Sequence, residues 1–290
     1  MFINVIDRAF IHVPLPGGIS VKEPTYFKWV RDQRSFKGIS IYTDDMISKL
    51  ALNHFGGNNK IAMIWEPRCI SPNTYSRILE IENEFDEIWT YDEILLNRNE
   101  KYKHIIPFSA WVSKETFLQK SYNKSIPISM IFSNKKISKN HRFRHEVYNN
   151  IDHNVVTFFG SGTNKSITME EREEIIAASY FTIAIENDEM PHYFTEKIVD
   201  PISTNTVPIY MGCTNIYKYL DQNGIIIFKD LKNLLKVTDQ LAKNYKSEYE
   251  NKRKYFEANK KLVSDNYMVP EDWLYHNRIL PFLEKKNKCV

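Results

Sequence analysis

The stretch FTIAIENDEMPHYFTEKIVDPISTNTVPIYMG, residues 181–212, decides the fold. Residues 181–185 are an apolar run of strand length, and residues 186–192 are a polar loop with three carboxylates and a proline. Thr195 is placed to cap a helix that begins at Glu196, and residues 207–211 form a second apolar run. Strand, helix and strand within about thirty residues make a βαβ unit, with its charged groups gathered where the first strand ends. Ligands of open α/β sheets sit at the carboxyl ends of the strands, so this loop is where chemistry is expected.

The same alternation runs outward in both directions. Upstream, strands are expected at 128–132 and 155–159, with helices at 141–151 and 168–178. Downstream come a helix at 215–220, a strand at 224–228 and helices at 231–245, 247–263 and 271–283. The first part of the chain repeats the pattern. Strands are expected at 2–6, 10–13, 38–42, 60–65, 85–91 and 104–108, helices at 26–30 and 72–84, a helix start at Thr43-Asp44-Asp45, a turn at 14–18 and a loop at 53–59. Strands alternating with helices predict parallel sheets. Residues 113–125 are polar with little apolar periodicity and read as the connection between two lobes. The expected domains are an N-terminal Rossmann-like lobe over 1–120, a second over 121–265, and a final helix over 266–290 returning to the first.

Composition narrows the function classes. With 42% hydrophobic and 26% charged residues the chain is an ordinary globular protein. The 39 basic and 36 acidic residues leave a net charge of only +3, which argues against a nucleic-acid partner, since that needs a dominant basic face. No run reaches the ~18 apolar residues of a membrane span. The N-terminal residues lack the pattern of a signal peptide. Cys69, Cys213 and Cys289 are few, far apart and odd in number, as in a reduced intracellular protein, and show no zinc spacing. The expectation is a soluble, cytoplasmic protein.

Several residues have the chemistry of a site. Glu196 and Lys197 stand at a predicted helix start, where unpaired N–H groups favour phosphate; the alternative is plain capping by Thr195. His141-Arg142-Phe143-Arg144-His145 follows a strand and suits a diphosphate clamp or a solvated face, with Arg142 and Arg144 about 200° apart so that only one turns inward. Gly160 and Gly162 after a strand allow close approach of a ligand to the backbone, or form a simple turn. They lack the third glycine of a dinucleotide fingerprint, and no P-loop occurs. Glu66 ends an apolar strand before Pro67, which suits a general base or a structural carboxylate. Trp111 and Tyr193, in loops, offer faces for a sugar or base.

These residues resemble the family 10 α-1,3-fucosyltransferases. Asn187, Tyr193, Thr195-Glu196-Lys197 and Thr206-Val207-Pro208-Ile209 fall at the spacing of the family's C-terminal motif. SMIFSNKK followed by HRFRHEVYNNI is similar to its serine-asparagine strand end, at Ser133, and its R-x-x-x-Y helix, at Arg144. WEPRCISPN is similar to the segment that carries its candidate base, at Glu66. The resemblance implies a GT-B fold of two Rossmann-like lobes facing a cleft, with C-terminal helices packing back towards the first. It implies an inverting transfer of fucose from GDP-fucose to a glycan hydroxyl, with no essential metal. Glu66 would deprotonate the acceptor, and Arg144 and Lys197 would neutralise the leaving diphosphate. Glu196 would hold the ribose, and Asn187, Tyr193, Ser133 and Gly160 would complete the donor site, with Trp111 on the acceptor. A bacterial or viral source is implied by the missing anchor and stem. Ile185, where the family has phenylalanine, and His192 before the tyrosine leave open another nucleotide sugar. An inactive glycan- or nucleotide-binding module is the remaining alternative.

Overall fold

A computed structural model describes residues 1–8, 24–107 and 109–288. The strand expected at 10–13, the turn at 14–18, Phe108 and Cys289 lie outside the described residues. The chain divides into two compact units, Met1–Ser109 with Val269–Val290, and Ala110–Met268.

In the first unit six parallel strands form one sheet in the order β2-β1-β3-β4-β5-β6. They are β1 Phe2–Ile6, β2 Lys28–Arg31, β3 Ile39–Thr43, β4 Asn59–Met63, β5 Glu87–Thr90 and β6 Tyr102–His104. Parallel strands covered on both faces read as continuous apolar runs. Accordingly Tyr42, Ala62 and Ile88 pack on one face, while Ile41, Ile61 and Trp89 pack on the other. The second cluster also takes in Leu274, Ile279 and Phe282 of the C-terminal segment, which therefore belongs to this unit.

The second unit carries five parallel strands in the order β11-β10-β9-β7-β8. These are β7 Ile126–Ile131, β8 Thr157–Phe159, β9 Ser179–Ile185, β10 Val207–Met211 and β11 Ile226–Ile227. The central register pairs Ile128 with Phe181 and Ile183 with Ile209. Their side chains join Val147, Leu234, Leu241 and Phe256 in one core. Numbered within its own sheet, the first runs 2-1-3-4-5-6 and the second 2-1-3-4-5, the doubly wound order in which the chain reverses direction beside its first strand.

Several elements differ from expectation. Residues 26–30 do not form a helix; Lys28–Arg31 is the edge strand β2, paired with β1. Trp29 and Val30 are aromatic and β-branched, and five residues are too few to separate the two periods. Strand β6 ends at His104 rather than spanning 104–108, because its ladder to β5 runs from Tyr102 to His104. The helix start expected at Thr43-Asp44-Asp45 is the turn Asp44–Met46, followed by the helix Lys49–Phe55, which runs into the loop expected at 53–59. The helix Glu93–Leu96 is unexpected, and the helix expected at 215–220 is one turn, Ile216–Lys218. The pair expected at 231–245 and 247–263 is found as two helices within Leu231–Asn266, meeting at Asn244, whose backbone leaves the helical region. The segment 271–283 is helical throughout, as expected, with a π-helical turn at Tyr275–Ile279 between Pro270–Leu274 and Leu280–Lys288.

Residues 113–125 are not a free connector. The Ser113 N–H and hydroxyl donate to Glu173 (2.9 and 2.7 Å), and the Trp111 N–H donates to Asp200 (2.8 Å). Lys124 Nζ donates to Thr204 O and Thr206 Oγ1. These bonds tie the segment to the second unit and place the division at 109/110 instead of 120/121. The downstream division falls at 268/269 instead of 265/266, since the helix after Asn244 runs to Asn266 and Tyr267 N still caps it.

Candidate functional site

At the reversal of the second sheet, β7 and β9 lie side by side and their carboxyl ends open into a cavity of about 400 Å³. That volume suits a small-molecule ligand. Ser133 reaches it from the end of β7, Asn187 from the end of β9, and Arg144 from the helix Lys139–Asn150. Glu196 and Lys197 enter from the first turn of the helix Glu196–Ser203, and Gly160 from the turn after β8.

Arg144 is buried, yet bound on one side only. Its Nε donates to Ile185 O (3.1 Å) and its Nη2 to Asn187 Oδ1 (2.9 Å). Nη1 has no partner among the described residues and is left for the cavity. Burial draws the guanidinium below its usual range, while Glu186, Tyr193 and Glu196 act the other way. Arg142 donates to Lys136 O and Ile137 O on the exposed side, so one arginine of the pair faces inward, as the helical geometry requires.

The helix Glu196–Ser203 is held by a carboxylate that the sequence reading passed over. Glu186, fully buried just beyond β9, accepts from the Thr195 N–H (2.9 Å) and hydroxyl (2.7 Å). Burial raises the Glu186 carboxyl and nearby Lys197 opposes this. Thr195 caps the helix through Lys197 N (3.4 Å). Lys197 Nζ reaches Glu196 Oε1 (2.9 Å) and Thr195 Oγ1 (3.2 Å) and lies 3.9 Å from Glu186 Oε2. For Glu196, burial alone would raise the carboxyl, but Lys197 and Arg172 overcome it and hold it at about 2. A carboxylate fixed in its charged form accepts hydrogen bonds, as hydroxyls of a bound sugar would require.

Two glycines are dictated by close approach. Gly160 has φ +94°, and a Cβ there would lie 2.5 Å from Phe132 O. At Gly212 a Cβ would meet Glu186 Cγ at 2.3 Å, so only glycine lets β10 pass behind that carboxylate.

Other expected residues lie elsewhere. Tyr193 is fully buried and does not line the cavity. Trp111 belongs to the second unit, with the Arg172 guanidinium 6.0 Å from its ring centre. Glu66 belongs to the first unit, half-buried beyond the end of β4. Its N–H donates to Asp44 Oδ1 (3.1 Å) and its carbonyl accepts from Tyr75 OH (2.9 Å). Asp44 also accepts the Trp65 N–H (2.9 Å). Burial, reinforced by the Glu66 charge, raises the Asp44 carboxyl to about 8.

Lys135 and Arg172 line the cavity without having been expected there. Arg172 pairs with buried Asp200 (2.7 Å). In the sequence it stands within MEEREE, which reads as a solvated face, and nothing local distinguishes it. Lys135 adjoins Ser133-Asn134, and that strand-end position was its one signal. Among the described residues Cys69 and Cys213 form no disulfide, and no described helix is long and apolar enough to cross a membrane.

Comparison with known proteins follows this geometry. The family model for the C-terminal part of glycosyltransferase family 10 (fucosyltransferase) matches residues 121–278. A putative fucosyltransferase of Acanthamoeba polyphaga mimivirus is 35% identical over 60 residues, 21% of this chain and 10% of that protein. The α-(1,3)-fucosyltransferase FucT of Helicobacter pylori is 29% identical over 87 residues, 30% of this chain and 18% of that protein. The chain thus spans less than a third of the length of the curated relatives it matches. An α1,3-fucosyltransferase solved with GDP-fucose superimposes with a TM-score of 0.56 at 16% identity, covering 91% of this chain and 89% of that one. TarM of S. aureus superimposes with a TM-score of 0.53 at 13% identity, covering 81% of this chain and 54% of that one. Two parallel α/β units with these neighbours constitute the GT-B fold.

Proposed function

This chain belongs to glycosyltransferase family 10, and from that premise we propose that it is an inverting fucosyltransferase, moving fucose from GDP-fucose to a hydroxyl of a glycan. The observation that carries the reading is the cavity at the β7/β9 reversal, where Arg144 and Lys197 come from separate helices onto one space. Diphosphate at that position faces Arg144 Nη1 and the Lys197 ammonium, with Glu196 an acceptor for ribose hydroxyls and Asn187 and Ser133 at its edges.

In the reaction, Glu66 takes the proton of the acceptor hydroxyl as its oxygen bonds to the anomeric carbon. The bond from that carbon to the diphosphate oxygen breaks, and its electron pair leaves with GDP. Attack opposite the leaving group inverts the carbon. Arg144 and Lys197 act where negative charge develops, an electrostatic contribution of about 3 kcal/mol per well-placed group in comparable sites. With charge compensation supplied by side chains, no divalent metal is needed for the step.

The test is thermal melting with GDP-fucose. The midpoint should rise in the wild type, and Lys197→Ala should abolish the rise while remaining folded. A full ligand shift in that variant would remove the cavity from the donor site. GDP-mannose and UDP-glucose, run alongside, decide the sugar nucleotide.

A further inference from the structure

We propose that His141 is a phosphate-binding residue of this cavity that works as a neutral hydrogen-bond donor, its tautomer locked by the cap of its own helix. The inference rests on the reading of the cavity as a nucleoside-diphosphate site and adds a ligand contact to it.

His141 occupies the third position of the helix Lys139–Asn150, and Ser138 is the N-cap. Ser138 Oγ accepts the His141 N–H (3.0 Å), and His141 Nδ1 accepts the Ser138 N–H (3.2 Å). This is a capping box with imidazole in the place usually taken by Glu or Gln. A backbone N–H can only donate, so Nδ1 carries no proton. In a neutral ring the proton then sits on Nε2. The ring is 5% exposed and lines the cavity beside Arg144 and Lys197. Nε2 has no partner among the described residues, so a buried N–H donor faces the space where the diphosphate is placed.

The charge state agrees with the geometry. Burial, followed by the charges of Arg144, Lys135, Lys197 and His145, holds the imidazole at about 4. Protonation would also place a hydrogen on Nδ1 and remove its bond from the Ser138 N–H, the reciprocal half of the capping box. Four cationic or titratable neighbours thus supply the site's positive charge, and His141 supplies direction. A neutral donor contributes to phosphate binding without adding repulsion among those cations while the site is empty.

The experiment is calorimetric titration of GDP and guanosine into wild type, His141→Ala, His141→Asn and His141→Gln. Asparagine can keep an acceptor at the Nδ1 position but does not reach Nε2; glutamine keeps the capping box and can present an N–H further out. Alanine and asparagine should weaken GDP by about tenfold, as loss of a hydrogen bond to a charged group does, and glutamine should recover most of that loss. Guanosine, which has no phosphate, should bind all four proteins alike. Between pH 5.5 and 8 the ratio of wild-type to His141→Gln affinity should stay constant, because ionisation of the phosphate, His145 and the lysines is common to both. Equal GDP affinity in wild type and His141→Asn overturns the proposal. So does a wild-type advantage that grows as pH falls, which marks a cation. If wild type does not bind GDP, the reading of the cavity fails first and takes this inference with it.

Discussion

At Arg144 position matters more than charge. Two of its nitrogens hold Ile185 and Asn187 and the third is turned to the cavity, a division that only a planar guanidinium allows. Arg144→Lys should therefore weaken GDP by about tenfold or more despite the retained charge, measured by titration. The residue was legible from its spacing to Tyr148, whereas Arg172 was not, because a helix face gives a folded neighbour no local mark. Glu66→Gln should keep donor affinity and lose transfer; full turnover would remove Glu66 as the base. Behind it, Asp44 allows a pH argument. Its carboxyl is raised from 3.8 to about 8, so between these values the folded state holds a proton that the unfolded chain releases. The stability it contributes is fully present below pH 3.8 and is lost as pH rises through about 8. Wild type should therefore lose more melting temperature between pH 5 and 8.5 than Asp44→Asn does, which cancels the common contributions of Glu186 and Asp200. Equal slopes would show that Asp44 is ionised when folded.

Elements were readable where period and punctuation agreed. The helix Glu196–Ser203 and the strand Val207–Met211 fall where expected, because Thr195 supplies a cap and Gly212 ends the strand. Short runs lacked such marks. In β2 the deciding influence is pairing with β1, a partner remote in sequence that no local window contains. At Asn244 the backbone leaves the helical region (φ −146°, ψ 23°), and the two helices read from the sequence meet there. Capping is where element and site meet. Thr195→Ala removes the acceptor for Lys197 N and the donor to Glu186. Loss of such a cap costs about 1 kcal/mol, seen as a lower melting temperature. Since Lys197 stands in the first turn of the helix, GDP affinity should fall along with stability. A variant with lowered stability and wild-type affinity would separate the cap from the site.

On the scale of the whole molecule, the two sheets share a winding order but end in different chemistry. The strand ends of the first carry Asp7, Asp44, Glu66 and Asp92, whereas the cavity of the second gathers Arg144, Lys197, Lys135 and Arg172. A net charge of +3 does not reveal this grouping, because it sums over the whole chain. Pairing further divides the acids: Asp7 is bound by Arg31 and Asp92 by Arg68, while Glu66 has Asp44 at its backbone. Carboxylates suit removal of a proton and cations suit a departing diphosphate, so each step of the proposed transfer finds its groups within one unit. The consequence reaches the metal requirement. If side chains of the second unit compensate the leaving group, treatment with EDTA should leave fucosyl transfer within about twofold, and added magnesium should not restore Lys197→Ala. A loss of about tenfold or more in EDTA, reversed by a divalent ion, would mean that the ion carries part of the work assigned here to Arg144 and Lys197.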